Sequence, residues 1–239
     1  LKLMKKILKL IKQASFDFNM IAPNDRIAIG YSGGKDSTLL VYALKELQSA
    51  FPFKFQIEAI LINTGFIDFD IQKAENFLKS MNIPFQIVNT NISKVVFENK
   101  KAKYPCSLCS RMIKGTLIET AVKRGIHKIA YAHNLDDAIS TFFLCMFYEG
   151  QCSALLPVTH LSRRDITLIR PMIYIPDWKI KSAVETNHLP IIKNLCPVSG
   201  KTRREFANRL ISQLANSIPD IRSNLISAFR NSKQFKLWF

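Results

Sequence analysis

The chain has 239 residues, 48% of them hydrophobic and 10% aromatic, enough to bury a sizeable core as one large α/β domain or a domain with a small appendage. No apolar run is long enough for a membrane-spanning helix, and five cysteines without an export signal argue against a disulfide framework and for a reduced cytoplasm. Thirty-four basic residues against eighteen acidic leave a net charge of +16, which points to a polyanion larger than a nucleotide, RNA above all. The competing reading of that charge is a solvated lysine-rich surface.

Residues Leu1 to Lys12 space their lysines at helical intervals between apolar positions, whereas a signal peptide needs an unbroken apolar core. They read as an amphipathic helix packed on the domain, and residues 1–24 as its N-terminal segment. Ile27–Tyr31 is a predicted strand, and a helix runs from Ser37 to about Gln48. Gln56–Ile62 is a second strand ending at Asn63-Thr64-Gly65, followed by a helix over Ile71–Met81 and a strand at Phe85–Val88. Pro105 opens a helix that continues through Arg111–Arg124 and stops at Gly125. Lys128–Ala132 is a strand, followed by His133 and a helix from about Leu135 to Tyr148. Short strands are expected at Leu168–Met172 and Leu189–Ile192, around a helix over Asp177–Asn187. A basic helical region closes the chain from Lys201, so residues 25–200 read as the main domain and 201–239 as an appendage. Repeated strand–helix units predict a doubly wound, mostly parallel sheet with helices on both faces.

Between the first strand and its helix lies Ser32-Gly33-Gly34-Lys35-Asp36-Ser37. Glycines let the backbone approach a ligand closely, and the first amides of the helix lack intrahelical partners. Those donors, the helix dipole, two hydroxyls and a lysine suit a pyrophosphate, and Asp36 is a candidate magnesium ligand beside it. The plain alternative is a Ser/Gly turn that only connects two elements. Neither GxxxxGK[ST] nor GxGxxG is present. The stretch resembles the SGGxDS loop of the PP-loop family, whose members cleave ATP between the α and β phosphates and transfer AMP to a substrate. That resemblance implies a PP-loop/HUP-like α/β fold and ATP contacts from Ser32, Gly33, Gly34, Lys35, Asp36 and Ser37.

Cys106-Ser107-Leu108-Cys109 begins a helix, where the dipole and Arg111 favour thiolates. Cys196 follows far along the chain. Three cysteines suit a metal with one open position, in competition with a redox dithiol or a structural zinc knuckle. Cys145 reads as a small buried hydrophobe, and Cys152 has no partner at ligand spacing. Taken with Ala132-His133-Asn134-Leu135-Asp136-Asp137, the run Cys106–Gly115 resembles the TtcA-type tRNA thiolases over about Asp25 to Lys201. The resemblance implies a 4Fe–4S cluster on Cys106, Cys109 and Cys196, magnesium on Asp36 and Asp137, His133 near the ATP phosphates and Asn63 near the adenosine. Catalysis falls to Lys35, Asp36 and Asp137, and tRNA contacts to Arg111, Lys114, Arg203 and Arg204. Phe66, Tyr104 and Tyr148 are possible stacking platforms for a base, with core packing as the rival role. The relatives usually carry Gly-His-His before the acid pair, where this chain has Ala132-His133-Asn134. They often carry another cysteine where Lys193 stands.

The implied chemistry is tRNA thiolation of the 2-thiocytidine type, with ATP, magnesium, a sulfur donor, a reductant and a homodimeric enzyme in the cytoplasm. Two alternatives stay open. One is persulfide or other PP-loop chemistry without a cluster; the other is a zinc-stabilised RNA-binding module without catalysis.

Overall fold

The computed structural model describes residues 2–66, 70–99, 105–192, 196–197 and 203–231. Contacts divide the chain into two compact units. The first comprises Leu1–Asn134 and Pro157–Pro197, the second Leu135–Leu156 and Val198–Phe239.

The first unit is built on a six-stranded sheet in the order β3-β2-β1-β4-β6-β5. Its strands are β1 (Arg26–Tyr31), β2 (Gln56–Asn63), β3 (Phe85–Asn89), β4 (Lys128–Ala130), β5 (Val158–Leu161) and β6 (Ile166–Ile169). All neighbours pair in parallel except β5, which runs antiparallel to β6 at the edge. The helices of this unit are α1 (Lys2–Asp17), α2 (Lys35–Leu47), α3 (Ile71–Ser80), α4 (Ile92–Lys94), α5 (Pro105–Lys123) and α7 (Asp177–Thr186). A π-helical turn continues α4 through Val95–Asn99.

Alternation along β1 sends its side chains to opposite faces. Ala28 and Gly30 face α5, whose Leu117, Ile118 and Ala121 join Ile60, Ile129, Ile166 and Leu168 in one apolar cluster. On the other face Tyr31 stacks near Phe77 of α3, and α1, α2 and α7 pack together. α1 buries Met4, Ile7, Ile11 and Ala14 on one stripe and turns its lysines outward, as the sequence pattern predicts. α5 ends where Gly125 takes φ +64°, with the Ile126 amide donating to the Ala121 carbonyl, a Gly stop of the expected kind. At the amino ends of the strands the buried Glu58 pairs with Arg124, and Asp25 with Lys128.

The second unit contains α6 (Leu135–Glu149), α8 (Arg203–Ser217) and α9 (Ile221–Arg230). Leu135, Ile139 and Ile211 form its centre, with Phe143, Leu225, Ile226 and Phe229 packed against them. Asp137 is paired with Arg204 at 2.9 Å and Asp136 with Arg222 at 2.9 Å. No helix among the described residues is long and apolar enough to cross a membrane.

Local bounds shift in several places, β4 stopping at Ala130 and α2 starting at Lys35 among them. The strand expected at Leu168–Met172 occupies Ile166–Ile169, and residues 170–174 turn away from the sheet. Leu189–Ile192 pairs with no strand among the described residues; the Ile192 amide donates to the Gly33 carbonyl instead. Val158–Leu161, which the pattern does not flag, supplies the antiparallel edge. The closing helix is broken between Ser217 and Ile221, where Pro219 cannot continue it.

Candidate active site

Strands β1, β2 and β3 extend to one side of the sheet and β4 and β6 to the other, so the order reverses between β1 and β4. Ligands in such sheets lie beyond the carboxyl ends of the strands at this reversal. Both segments that leave β1 and β4 there carry polar groups.

The loop after β1 is tightly knit. Ser32 donates its amide to Ser37 Oγ at 3.2 Å, the two hydroxyls meet at 3.1 Å, and Ser37 Oγ also donates to the Gly34 carbonyl at 3.1 Å. Gly33 sits at φ +74°, and a Cβ there would lie 2.6 Å from Ile192 Cδ1. A bare turn is required on two counts, backbone conformation and space. Gly34 is the N-cap of α2 and gives it no side-chain cap, so the first amides of the helix point at whatever occupies the loop.

Lys35 and Asp36 do not stand alone. The Lys35 ammonium donates to both oxygens of Asp36, at 3.0 and 2.8 Å, and to Asp177 Oδ1 at 2.5 Å. Asn134, buried just after β4, donates its amide to Asp36 Oδ1 at 3.0 Å and to Asp177 Oδ1 at 3.3 Å. Burial works against the Lys35 charge, but the two carboxylates outweigh it and hold its pKa above the ordinary lysine value. Burial pushes Asp36 up, against the pull of Lys35 and Asn134. Asp177 reads from sequence only as an acid at a helix start, which the dipole favours in any helix. Its role in the loop emerges because α7 begins beside α2. His133 stacks on Tyr131 with ring centres 5.4 Å apart. Asn63 ends β2, where its side chain bonds Asn89 at 3.0 Å and accepts the Gly65 amide at 3.1 Å.

Three of the cysteines lie on the first unit near enough for Cys109 to feel the other two. Cys106 and Cys109 lie in the first turns of α5, and Cys109 feels both Cys196 and Cys106 electrostatically. Burial, then these two neighbours, push the Cys109 thiol up, where the sequence reading expected the helix start and Arg111 to favour its charged form. All five cysteines are free thiols. Among the described residues no three His, Cys, Asp or Glu side chains are already arranged as a metal centre. By chemistry alone, three thiols are a donor set for a metal group with one position left open, but the described side chains are not arranged as one.

The remaining candidates are dispersed. Asp137 is held by Arg204 in the second unit, and Arg203 lies 4.3 Å over the ring of Tyr148. Arg111 and Lys114 are exposed on α5 just past the cysteines. Phe66 packs on Phe97 with ring centres 5.9 Å apart. Tyr104, Lys193 and Lys201 lie outside the described residues.

A PP-loop domain model matches residues 1–211. The tRNA-cytidine(32) 2-sulfurtransferase of Syntrophotalea carbinolica is 34% identical over 96% of this chain and 90% of its own. That of Bdellovibrio bacteriovorus is 34% identical over 99% and 92%. In fold, the chain is similar to the U34-tRNA thiolase NcsA from Methanococcus maripaludis, a structure with its 4Fe–4S cluster. The TM-score is 0.79 at 21% identity, over 98% of this chain and 80% of that one. The glycine loop at the sheet reversal and these likenesses agree: the chain belongs to the PP-loop family, among the tRNA-cytidine(32) 2-sulfurtransferases.

Proposed function

We propose that the protein uses ATP to replace the C2 oxygen of a tRNA cytidine by sulfur, the acceptor being the cytidine 32 for which its relatives are named. The observation that carries this reading is the 34% identity to tRNA-cytidine(32) 2-sulfurtransferases over nearly the whole chain, with Cys109 within electrostatic reach of Cys106 and Cys196 on the unit that also holds the glycine loop. A lysidine- or amide-forming PP-loop enzyme has no use for such a triad.

Oxide is a poor leaving group, so the C2 oxygen must first be activated. The amides of the Ser32–Ser37 loop and the Lys35 ammonium grip the phosphates and offset charge as pyrophosphate departs from AMP. Asn63 and His133 flank the nucleotide. Asp36 is the carboxylate of the loop that would hold magnesium, whose charge would supplement that of Lys35. Attack by the C2 oxygen on the α-phosphorus forms the adenylated base; sulfur then adds at C2, and the oxygen leaves on AMP. Cys106, Cys109 and Cys196 hold a 4Fe–4S cluster, which when bound supplies an iron with a position free for sulfur. Arg111 and Lys114, with Arg203 and Arg204, contact the tRNA, whose target base leaves its stack more cheaply in a loop than in a duplex. A sulfur donor, a reductant and a second copy of the chain complete the working set in the cytoplasm.

The test is iron and sulfide content on anaerobically purified protein, beside Cys106→Ala and Cys196→Ala, together with AMP release on adding tRNA. Iron and sulfide in cluster stoichiometry, lost in both variants, with tRNA-stimulated AMP, is the expected result. Zinc or no metal in protein never exposed to oxygen overturns the cluster and returns persulfide transfer. Absence of AMP overturns adenylation.

A further inference from the structure

The ammonium of Lys35 donates to two acids, to both oxygens of Asp36 from one side and to Asp177 Oδ1 from another. The buried amide of Asn134 bridges the same two carboxylates. Two acids facing one ammonium leave the cluster with a net negative charge, in the loop that must receive the most highly charged part of a nucleotide. Phosphates that approach Lys35 compete with these carboxylates for its charge. Asp36 is chained to the loop, adjacent to Lys35 in sequence and accepting from Asn134 at the shorter distance of 3.0 Å. Asp177 comes from a separate helix; its contact with Lys35, at 2.5 Å, is the shortest of the three, its contact with Asn134 is 3.3 Å, and its side chain is 45% exposed against 32% for Asp36. It is the more exposed acid and the one not fixed to the loop.

We propose that Asp177 is a positioning residue of the nucleotide loop, which parks the Lys35 ammonium when no ligand is present and competes for it with the β and γ phosphates of ATP. This rests on the reading of the loop as an ATP site. The consequence is a restraint on affinity: part of the attraction of Lys35 for a triphosphate is spent on releasing Asp177. A half-exposed ion pair of this kind corresponds to roughly a two- to five-fold effect on a dissociation constant. An acid serving only the N-terminus of α7 would act on fold stability and treat all nucleotides alike.

Isothermal titration of the full chain with ATP and with AMP, both with magnesium, separates these roles. Asp177→Asn is expected to lower the Kd for ATP two- to five-fold and leave that for AMP, which has no β or γ phosphate, unchanged. Asp177→Glu restores the wild-type ratio. In a Lys35→Gln background Asp177→Asn has no effect on ATP, because the contested ammonium is gone. Weaker ATP binding in Asp177→Asn, or an equal shift for both nucleotides, overturns the proposal. Should Asp177→Asn melt early, Asp177→Ser keeps an acceptor at the helix start without the charge and is read the same way. Wild-type protein that binds neither nucleotide overturns the ATP reading beneath it, whatever the variants do.

Discussion

Tyr131 shows how much one side chain at the strand ends is conditioned by its surroundings. It follows β4, stacks on His133 and has a buried hydroxyl. Burial pushes its phenol from near 10 up to about 12, with the Arg170 charge pulling the other way. The unfolded chain gives up this proton near pH 10, while the folded chain keeps it to about 12. The phenol's contribution to stability is therefore intact below the lower value and is lost as pH rises through that window. Tyr131→Phe has no proton to lose. Its unfolding free energy is expected to fall less steeply across that window, by about 2 kcal/mol at the top, in urea titrations at a series of pH values. Residues at this scale were unevenly legible. Ser32–Ser37 announces itself because glycines, hydroxyls and a lysine between a strand and a helix have few other uses. Asp177 does not, because an acid at the start of a helix is commonplace and its partner Lys35 is 142 positions away.

Among the elements, α5 links fold and chemistry most directly. Its first turn carries Cys106 and Cys109, while Leu117, Ile118 and Ala121, farther along, press it onto the sheet. Leu117 fills the space over Gly30 that a larger residue in β1 would occupy; a Cβ there would lie 3.0 Å from its Cδ2. Leu117→Ala opens a void in a closed cluster and is expected to cost about 2–4 kcal/mol, measured by chemical denaturation, with no charge or thiol altered. The alternation of strands and helices was readable because parallel strands buried on both faces are continuous apolar runs, and Gly125 and Pro105 punctuate α5. The edges were not. Val158–Leu161 is short, only partly buried and lies at the rim, so it lacks the apolar signature of the inner strands. Leu189–Ile192 has that signature, yet its buried member, Ile192, is spent on the glycine loop rather than on a ladder.

For the molecule as a whole, the charge of +16 belongs to a different physics from the site. Lys35, Arg204 and Arg222 are committed to acids, whereas Arg111 and Lys114 face solvent beside the cysteines. Contacts with RNA phosphates release counterions, so tRNA affinity is expected to fall steeply with salt, with a log–log slope of about −3 or steeper in filter binding. Arg111→Ala together with Lys114→Ala is expected to flatten that slope by roughly 1 to 2 and to leave nucleotide binding alone. The contact of Ile192 with Gly33 also operates at this scale. It joins a turn near the start of the chain to the segment that leads into Cys196, through one hydrogen bond of 2.8 Å and a methyl group set where a Cβ would otherwise be. A side chain at position 33 is thus excluded not by the turn alone but by a residue far later in the chain, so the two sites constrain each other's size.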